Sequence, residues 1–169
     1  NLTIDAALIS SKGSIGDYVW KDTNNDGIQN TDEAGVNGVK VILWTADASG
    51  KKVTPIDTVL TANGGAYTFT NLPAGRYIVQ IDKTTFPAGC ELSDQTNKGG
   101  DDAKDSDFDP TSGLSPVVTL DPTKGGSDKG IPTVDAALKS TLGSIGDYVW
   151  KDTNNDGIQD ASEAGVDGI

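Results

Sequence analysis

The sequence predicts an all-β fold, a seven-stranded Greek-key β-sandwich with long polar loops inserted between its strands. Apolar residues alternate with polar ones over several short segments, which is typical of strands that bury one face. Glycine supplies 21 of the 169 residues, and Asp, Asn and Thr are also abundant, a turn-rich composition that favours many short strands. No stretch of ten residues carries the apolar spacing of a helix.

Seven segments carry the strand signal, and antiparallel pairing is expected between them. The predicted strands lie at 15–20, 39–43, 53–62, 66–70, 77–81, 116–120 and 131–138. Turn-forming residues at 63–65 and 73–75 separate the third, fourth and fifth of these strands. The large aromatic side chains are expected to fill the core, namely Trp20, Trp44, Tyr67, Phe69 and Tyr77.

An internal repeat sets the domain organisation. Residues 4–38 recur at 134–168, a spacing of 130 residues, and 27 of the 35 paired positions are identical. A period of that length corresponds to a whole domain, so the sequence predicts domains arranged in tandem. Residues 13–139 are expected to form one complete repeat. We interpret 1–12 as the closing strand of a preceding repeat with its linker, and 140–169 as a linker, opening strand and loop of the next repeat.

The same frame allows strand exchange between molecules. Residues 1–9 have no place in the sandwich of 13–139, because 131–139 already supplies its closing strand. They are expected to be able to pair with the opening segment 143–169 of another copy, which would give head-to-tail chains.

The charge balance excludes several classes of function. There are 25 acidic and 13 basic side chains, a net charge of −12, with no His and one Cys. A chain without His has no His-based nucleophile or zinc site, and one Cys cannot form a disulfide framework. So acidic a chain is expected to contact neither nucleic acid nor an anionic membrane. The small partner that fits best is a hard cation.

One acidic segment has the spacing of a calcium loop. Residues 22–33 match the pattern D-x-[DN]-x-[DN]-G-x5-E without a gap. Side-chain oxygens converge from the first half of such a loop, glycine permits a sharp turn, and the final glutamate closes the coordination sphere. The predicted ligands are Asp22, Asn24, Asp26, the carbonyl of Ile28, Asn30 through a water molecule, and Glu33.

The second copy of the repeat carries the same loop at 152–163. Its predicted calcium ligands are Asp152, Asn154, Asp156, the carbonyl of Ile158, Asp160 and Glu163. The flanking segments have strand and turn character rather than helical character, so we expect a structural staple rather than a helix-opening switch. The alternative is a polar, turn-rich loop that holds no metal.

A further acidic stretch runs from 94 to 109. We expect it to hold one or two more calcium ions, with Asp17 reaching in from the first strand; the candidate ligands within the stretch are Asp101, Asp102, Asp105, Asp107 and Asp109. The alternative is a solvated or disordered acidic run. The segments 22–33, 94–109 and 152–163 together carry the whole net charge of −12.

Several motifs resemble a known family, the B-type repeats of serine-aspartate-repeat surface adhesins. They are IGDYVWKDTNNDGIQ at 15–29, GVNGV at 35–39, GAYTF at 65–69, LPAGRY at 72–77 and KDSD at 104–107. The resemblance implies a prealbumin-like, immunoglobulin-like sandwich of the collagen-adhesin B type. It also implies a calcium-rigidified stalk that holds an adhesive head away from a bacterial cell, and hence an extracellular location at the cell surface.

The resemblance raises the question of an internal isopeptide bond. Related B-type domains join a Lys of the first strand to an Asn or Asp of the last, with a buried Glu as catalyst. On that pattern Asp135 lies at the reactive acid, but Asp17 stands at the Lys position and Ile81 at the Glu position. Two of the three groups are therefore missing. In an isopeptide-forming pilin-type domain, Lys21 as an offset nucleophile or another Lys would have to take the Lys role, whereas a solvated Lys21 is the favoured interpretation.

The leading hypothesis is thus a non-enzymatic structural repeat stabilised by calcium, whose partners are calcium ions and neighbouring repeats. A ligand-binding module for carbohydrate or host protein, using exposed aromatic side chains, is the alternative from a different class. An enzyme, such as a glycoside hydrolase with two carboxylates, ranks last because the acids have metal-loop spacing rather than the form of a cleft.

Overall fold

Nine strands form two packed sheets in this computed structural model, which describes residues 11–124, 130–143 and 146–169. The strands are β1 (Gly13–Asp22), β2 (Lys40–Ala46), β3 (Lys52–Leu60), β4 (Ala66–Leu72), β5 (Gly75–Ile81), β6 (Cys90–Leu92), β7 (Val118–Leu120), β8 (Gly130–Ile131) and β9 (Ala136–Ser140). A single turn of 3₁₀ helix covers Lys83–Thr85. The predicted all-β sandwich is confirmed, whereas the predicted strand number of seven was too low.

The two sheets differ in how the chain builds them. One has the order β4-β1-β9-β6, with β8 also paired to β1, and the other has the order β3-β2-β5-β7. β2, β3, β5 and β7 pair antiparallel throughout their sheet. β1 lies between β4 on one side and β8 and β9 on the other, so the first strand of the repeat pairs with its last two strands.

The expectation of purely antiparallel pairing was wrong at this first strand. β1 pairs in parallel with β8, where Ile15 lies opposite Ile131, and with β9, where Val19 lies opposite Ala136. Parallel strands need a long crossover connection, and here nearly the whole domain serves as that connection. The alternating pattern of a strand does not record the direction of its neighbour, so the sequence could not distinguish the two cases.

Two further differences concern the C-terminal half. The predicted strand 131–138 is divided into β8 and β9, because Asp135 and its neighbours turn away from the ladder to meet a loop. β6 was missed, since three residues are too few to show a period. β6 nevertheless pairs antiparallel with β9, with Leu92 opposite Leu138.

The core lies between the two sheets and is filled by alternate residues of the strands. Ile15 and Val19 of β1 and Val41 and Leu43 of β2 are fully buried. Four of the five aromatic side chains predicted to fill the core are buried, which are Trp20, Tyr67, Phe69 and Tyr77. The fifth, Trp44, is half-buried on the outer face of its sheet, where the Lys52 ammonium lies 4.4 Å from its ring centre.

β3 is the exposed edge of its sheet. All but one of its residues are exposed, and Val53, Ile56 and Leu60 present apolar side chains to solvent. Its register with β2 is interrupted on both sides of the pair between Trp44 and Pro55. Proline offers no N–H to a further strand, so it is confined to edges and irregularities of this kind.

The long segment between β6 and β7 is held to the core by one aromatic residue. Phe108 is fully buried in the core cluster, although it belongs to no strand. On the N-terminal side of Phe108, Asp107 N–H donates to the Asp135 carbonyl at 2.9 Å, and Asp135 N–H donates to Asp107 Oδ2 at 2.7 Å. Asp107 is thereby fixed beside Asp135, the residue that precedes β9.

Residues 1–10 lie outside the described ranges, so the predictions of a closing strand at 1–9 and of strand exchange stay predictions. Within the described ranges, no helix has the length and apolarity that crossing a membrane would require.

We expect Phe108→Ala to lower the free energy of unfolding by about 3 kcal/mol or more, because it removes a fully buried aromatic ring and leaves a cavity. Urea denaturation followed by tryptophan fluorescence measures the change. Leu60→Ala is the control, since a side chain that is 60% exposed contributes no more than about 0.5 kcal/mol. Equal effects of the two substitutions would show that Phe108 does not anchor the loop.

Candidate metal centre

The predicted calcium loop leaves the end of β1 and is closed at its base by backbone pairing. Lys21 N–H donates to the Ala34 carbonyl at 2.9 Å, and Val36 N–H donates to the Val19 carbonyl at 2.7 Å. The loop therefore joins an extended strand to a turn, as the sequence predicts, and no helix flanks it in the described residues.

Backbone N–H groups orient the acidic side chains of the loop. Asp22 Oδ2 accepts from Gly27 N–H at 2.9 Å, and Asp26 Oδ1 accepts from Ile28 N–H at 2.8 Å. Glu33 spans the loop: its Oε1 accepts from Thr23 N–H at 2.6 Å, while its Oε2 accepts from the backbone at the middle of the loop. Asp22 is 1% exposed and Glu33 is 8% exposed, so two of the carboxylates are buried in this loop.

Two amide side chains gather on Asp26. Asn24 Nδ2 donates to Asp26 Oδ2 at 2.8 Å, and Asn30 Nδ2 donates to the same oxygen at 3.2 Å. The N–H of Ile28, followed by these two amides, holds the pKa of Asp26 below its ordinary value. Asn30 Nδ2 also donates to the Ile28 carbonyl at 3.2 Å. The partly positive amide N–H groups therefore contact the oxygens of Asp26 and Ile28 that are predicted to bind the metal. A cation fits this donor set, since rotation of the amides would present their oxygens.

The sharp turn depends on residues with left-handed backbone conformation. Asn25 has φ 56° and Gly27 has φ 75°, and asparagine and glycine adopt such angles most readily. A side chain at Gly27 would also collide with the Gln95 carbonyl, which belongs to the long segment after β6.

The second copy of the loop has the same local form. Thr153 N–H donates to Glu163 Oε1 at 2.7 Å, Gly157 N–H donates to Asp152 Oδ2 at 2.9 Å, and Ile158 N–H donates to Asp156 Oδ1 at 2.8 Å. Asp160 takes the place of Asn30, and its Oδ2 accepts from Asn154 Nδ2 at 3.0 Å. The structure thus brings together the predicted ligands of each loop.

A second group of carboxylates converges in the segment after β6. Asp102, Asp105 and Asp107 each offer an oxygen, and these three oxygens lie within 4.8 Å of one another. Asp105 is 5% exposed, and its Oδ1 has no hydrogen-bond partner. Burial, and then the charges of Asp102 and Asp101, raise the pKa of Asp105. An unpartnered buried carboxylate beside two others is unfavourable unless a proton or a cation joins them, and calcium fits this all-oxygen set.

The other two acids predicted for this site point elsewhere. Asp101 forms an ion pair with Lys104 at 3.4 Å, and its Oδ1 accepts from Ala103 N–H. Asp109 caps its own turn, because its Oδ1 accepts from both the N–H and the hydroxyl of Ser112 at 2.7 Å. The described arrangement therefore joins three of the five acids of 101–109.

Asp17 approaches the same region from β1, in a second group of carboxylates with Asp107 and Asp135, of which Asp17 and Asp107 are half-buried. Burial raises the pKa of Asp17 to about 6, and burial raises that of Asp107 to about 7, with Asp102, Asp105 and Asp17 adding to the rise. Asp135 is fully buried and its pKa is raised to about 9 by burial and by the charges of Asp17 and Asp107. The buried hydroxyl of Tyr67 lies nearby and donates to the Val134 carbonyl at 2.6 Å.

Asp135 is a site residue that metal-ligand spacing missed. One oxygen, Oδ1, accepts from Tyr18 N–H at 2.9 Å, whereas Oδ2 is buried without a partner. Its sequence context, inside an apolar strand segment, singles out a buried charge but does not indicate which loop it faces. Only the parallel pairing of β1 with β9 brings it beside Asp17 and Asp107.

The surroundings of Asp135 bear on the isopeptide alternative. The groups that shift its pKa are Asp17, Asp107, Tyr18 and Asp105, and none of them is a lysine. Lys21, the offset candidate, is exposed and lies opposite Leu138 in the ladder. Ile81, at the position of the catalytic Glu, is 1% exposed in the apolar core.

The two candidate sites are connected through the backbone. Gln29 N–H donates to the Lys104 carbonyl at 2.7 Å, and Ser106 N–H donates to the Gly27 carbonyl at 3.2 Å. Ile28 and Asp105 form the antiparallel bridge between these bonds. A ligand at either site therefore acts on a backbone that both sites share.

Comparison with known proteins gives a consistent assignment. A profile of the SdrD B-like domain family matches residues 13–138 and again 143–169. The chain is 39% identical over 170 residues to serine-aspartate repeat-containing protein F of Staphylococcus epidermidis, covering 100% of this chain and 9% of that protein. It is 40% identical over 159 residues to serine-aspartate repeat-containing protein C of Staphylococcus aureus, covering 94% of this chain and 15% of that protein. The chain thus spans a small fraction of the length of these relatives.

Among solved structures, the major plantain pollen allergen Pla l 1 has a TM-score of 0.51 to this chain. The match covers 80% of this chain and 98% of the allergen at 14% sequence identity, so it concerns the fold alone. The family indicated by the sequence motifs is confirmed by the profile match over both copies of the repeat. The chain therefore belongs to the SdrD B-like domain family and is a B-type repeat of serine-aspartate repeat proteins.

Proposed function

We propose that the chain is a calcium-stabilised structural repeat, which extends a bacterial surface adhesin away from the cell and has no catalytic role. The observation that most directly supports this proposal is the buried carboxylate of Asp105. One of its oxygens has no hydrogen-bond partner, and the carboxylate lies beside those of Asp102 and Asp107, on a segment whose backbone pairs with the calcium-type loop 22–33. A divalent cation is the partner that would offset the cost of gathering these charges.

The charge distribution supports calcium at more than one place. The two loops and the segment 94–109 hold the entire net charge of −12. Their carboxylates repel one another until cations bind, so removal of calcium should loosen the repeat. Ions that bind only the folded chain stabilise it by mass action, and millimolar calcium outside cells would fill even weak sites.

The strand order supports the role of a spacer. Because β1 and β9 run parallel, the chain enters at the Gly13 end of β1 and leaves near its other end, where Asp22 lies opposite Lys139. Ten residues of β1 correspond to about 33 Å, so each repeat advances the chain by roughly its own length. Tandem copies would then extend end to end, with neighbouring repeats as their partners.

The location follows from the same proposal. We place the chain outside the cell, at the bacterial surface, which is the location that the sequence motifs imply.

The ligand-binding alternative finds less support. It needs aromatic side chains on one exposed face, whereas Trp20, Tyr67, Phe69 and Tyr77 are buried. Trp44 is the one member of the predicted set that is half-exposed, and Lys52 covers its ring.

Calcium should raise the melting temperature (Tm) of the chain by about 10 °C or more relative to the chain in excess chelator. Each site filled a hundredfold above its Kd adds about 2.7 kcal/mol, and two sites belong to the complete repeat. Differential scanning calorimetry at fixed pH measures the shift, and Asp57→Asn, at an exposed acid outside the loops, is the control. Identical melting temperatures with calcium and with chelator would refute the proposal.

Asp105→Asn should have opposite effects with and without calcium. In chelator it removes a buried, unpartnered charge, so we expect a Tm above that of the parent chain by roughly 2–4 °C. In calcium it removes a ligand, so we expect a smaller calcium-induced shift. Asp101→Asn is the matched control, because Asp101 is exposed and paired with Lys104. A calcium-induced shift that Asp101→Asn reduces and Asp105→Asn leaves intact would reverse the ligand assignment.

The metal-free chain should lose stability as pH rises. The pKa values of Asp17, Asp107 and Asp135 are raised to about 6, 7 and 9, so the folded state binds more protons than the unfolded state. The free energy of unfolding therefore falls with rising pH through this range, and the chain has no His to oppose the trend. Urea midpoints in chelator should be higher near about pH 5.5 than near about pH 8.

Asp135→Asn should flatten this pH dependence, since it removes the acid with the largest rise. A urea midpoint of the metal-free chain that increases from acid to neutral pH would contradict the raised pKa values.

A further inference from the structure

The chain contains one calcium-type loop twice, in two different surroundings. The loop at 22–33 lies within a complete sandwich, whereas the described residues 146–169 provide the loop at 152–163 with its own hairpin and no sheet. The pair therefore separates what the loop achieves alone from what the rest of the repeat adds.

The loop alone reproduces its internal hydrogen bonds. The bond from threonine N–H to glutamate Oε1 measures 2.6 Å at Thr23 and 2.7 Å at Thr153. The bond from glycine N–H to the first aspartate is 2.9 Å in both copies, and the bond that closes the base is 2.9 Å for Lys21 and 3.0 Å for Lys151. The left-handed glycine has φ 75° in one copy and 74° in the other. The form of the loop is thus encoded locally and needs no sandwich.

The complete repeat adds a cover, which we define as residues 93–107. Ser93 is fully buried, and its hydroxyl donates to Asn25 Oδ1 at 3.0 Å. Further along, the cover pairs with the loop on both sides of Ile28, through the Lys104 carbonyl and the Ser106 N–H. The side chain of Ile28 also lies against Gly99, where no Cβ could be added without a close contact.

Burial of equivalent residues shows what the cover changes. Asp22 is 1% exposed, while Asp152, its counterpart, is only half-buried. Ile158 is 62% exposed, whereas Ile28 is half-buried beneath the cover. Glu33 and Glu163 are each 8% exposed, so the closing glutamate is shielded by the loop itself in both copies.

We propose that the cover regulates calcium exchange at the loop of the complete repeat: both loops bind calcium, and the cover makes release from 22–33 the slower of the two. This inference rests on the proposed function, because it assumes that loops of this type bind calcium. Hydrogen bonds from the cover to Asn25, Gly27 and Gln29 hold the backbone of the loop closed, and this closed backbone is the obstacle to an ion that leaves the covered loop. Release from 152–163 meets no such obstacle, since water already reaches Asp152.

The experiment uses the whole chain loaded with calcium and mixed rapidly with a fluorescent chelator, so that each class of ion gives its own release phase. Glu33→Gln and Glu163→Gln assign the phases, because each removes the closing ligand of one loop. We expect Glu33→Gln to abolish a slow phase and Glu163→Gln to abolish a phase at least about tenfold faster, the difference expected from the loss of one or two net hydrogen bonds. Asp26→Asn and Asp156→Asn form a second, milder pair in case Glu33→Gln disturbs folding.

Ser93→Ala then tests the cover directly. It removes the hydrogen bond to Asn25 and should accelerate the slow phase several-fold while leaving the phase assigned to 152–163 unchanged. Ser49→Ala is the control, since Ser49 is an exposed residue outside both loops whose hydroxyl donates to Asp47.

The outcomes separate the two proposals. If release from both loops proceeds at one rate, or if Ser93→Ala changes neither phase, the cover has no regulatory role although the loops bind calcium. If Glu163→Gln removes no release phase of the parent chain, the loop at 152–163 does not bind calcium on its own and this inference fails alone. If no calcium is released at all, the proposed function fails with it.

Discussion

The arrangement of the acidic side chains depends on one short backbone contact, the bridge that joins Ile28 to Asp105. Together with the hydrogen bond from Ser93 to Asn25, it joins the loop after β1 to the segment after β6. With it, Asp105 is buried, Asp102 and Asp107 are brought to its side, and Gln29 is fixed to Lys104. Phe108 holds the other end of that segment in the core, so the contact is fixed from two directions. The sandwich thereby brings the acidic residues of the loop and of the segment after β6 close to one another.

The sequence predicts this fold and its sites to different depths. The loop at 22–33 could be located because its ligands are neighbours in the chain and its form is local, as the copy at 152–163 demonstrates. The same is true of β1, β2, β4 and β5, whose buried side chains face one core. What could not be predicted is non-local. Asp135 meets Asp17 only through the parallel pairing of β1 with β9, and Asp109 is withdrawn from the cluster by its bonds to Ser112, which spacing alone does not reveal.

Burial gives the acidic residues two distinct roles. On the loop at 22–33, carboxylates accept hydrogen bonds from backbone N–H groups and their charge is accommodated within the fold. Around Asp135, carboxylates face one another in a place where water has little access, and their pKa values rise. The first group orders the loop through hydrogen bonds to its backbone, while the second gathers carboxyl groups whose pKa values are raised by burial.

The exposed edge strand β3 bears on how identical neighbours coexist. The chain matches one family twice, and domains tethered in this way are at high local concentration while they fold, so unpaired edges invite wrong pairing between them. In β3 the missing N–H of Pro55 and the interrupted register beside Trp44 spoil the edge as a template, and Lys51 and Lys52 add charge at its start. The interrupted register of β3 thus favours strand pairing within each repeat over pairing with the repeat beside it.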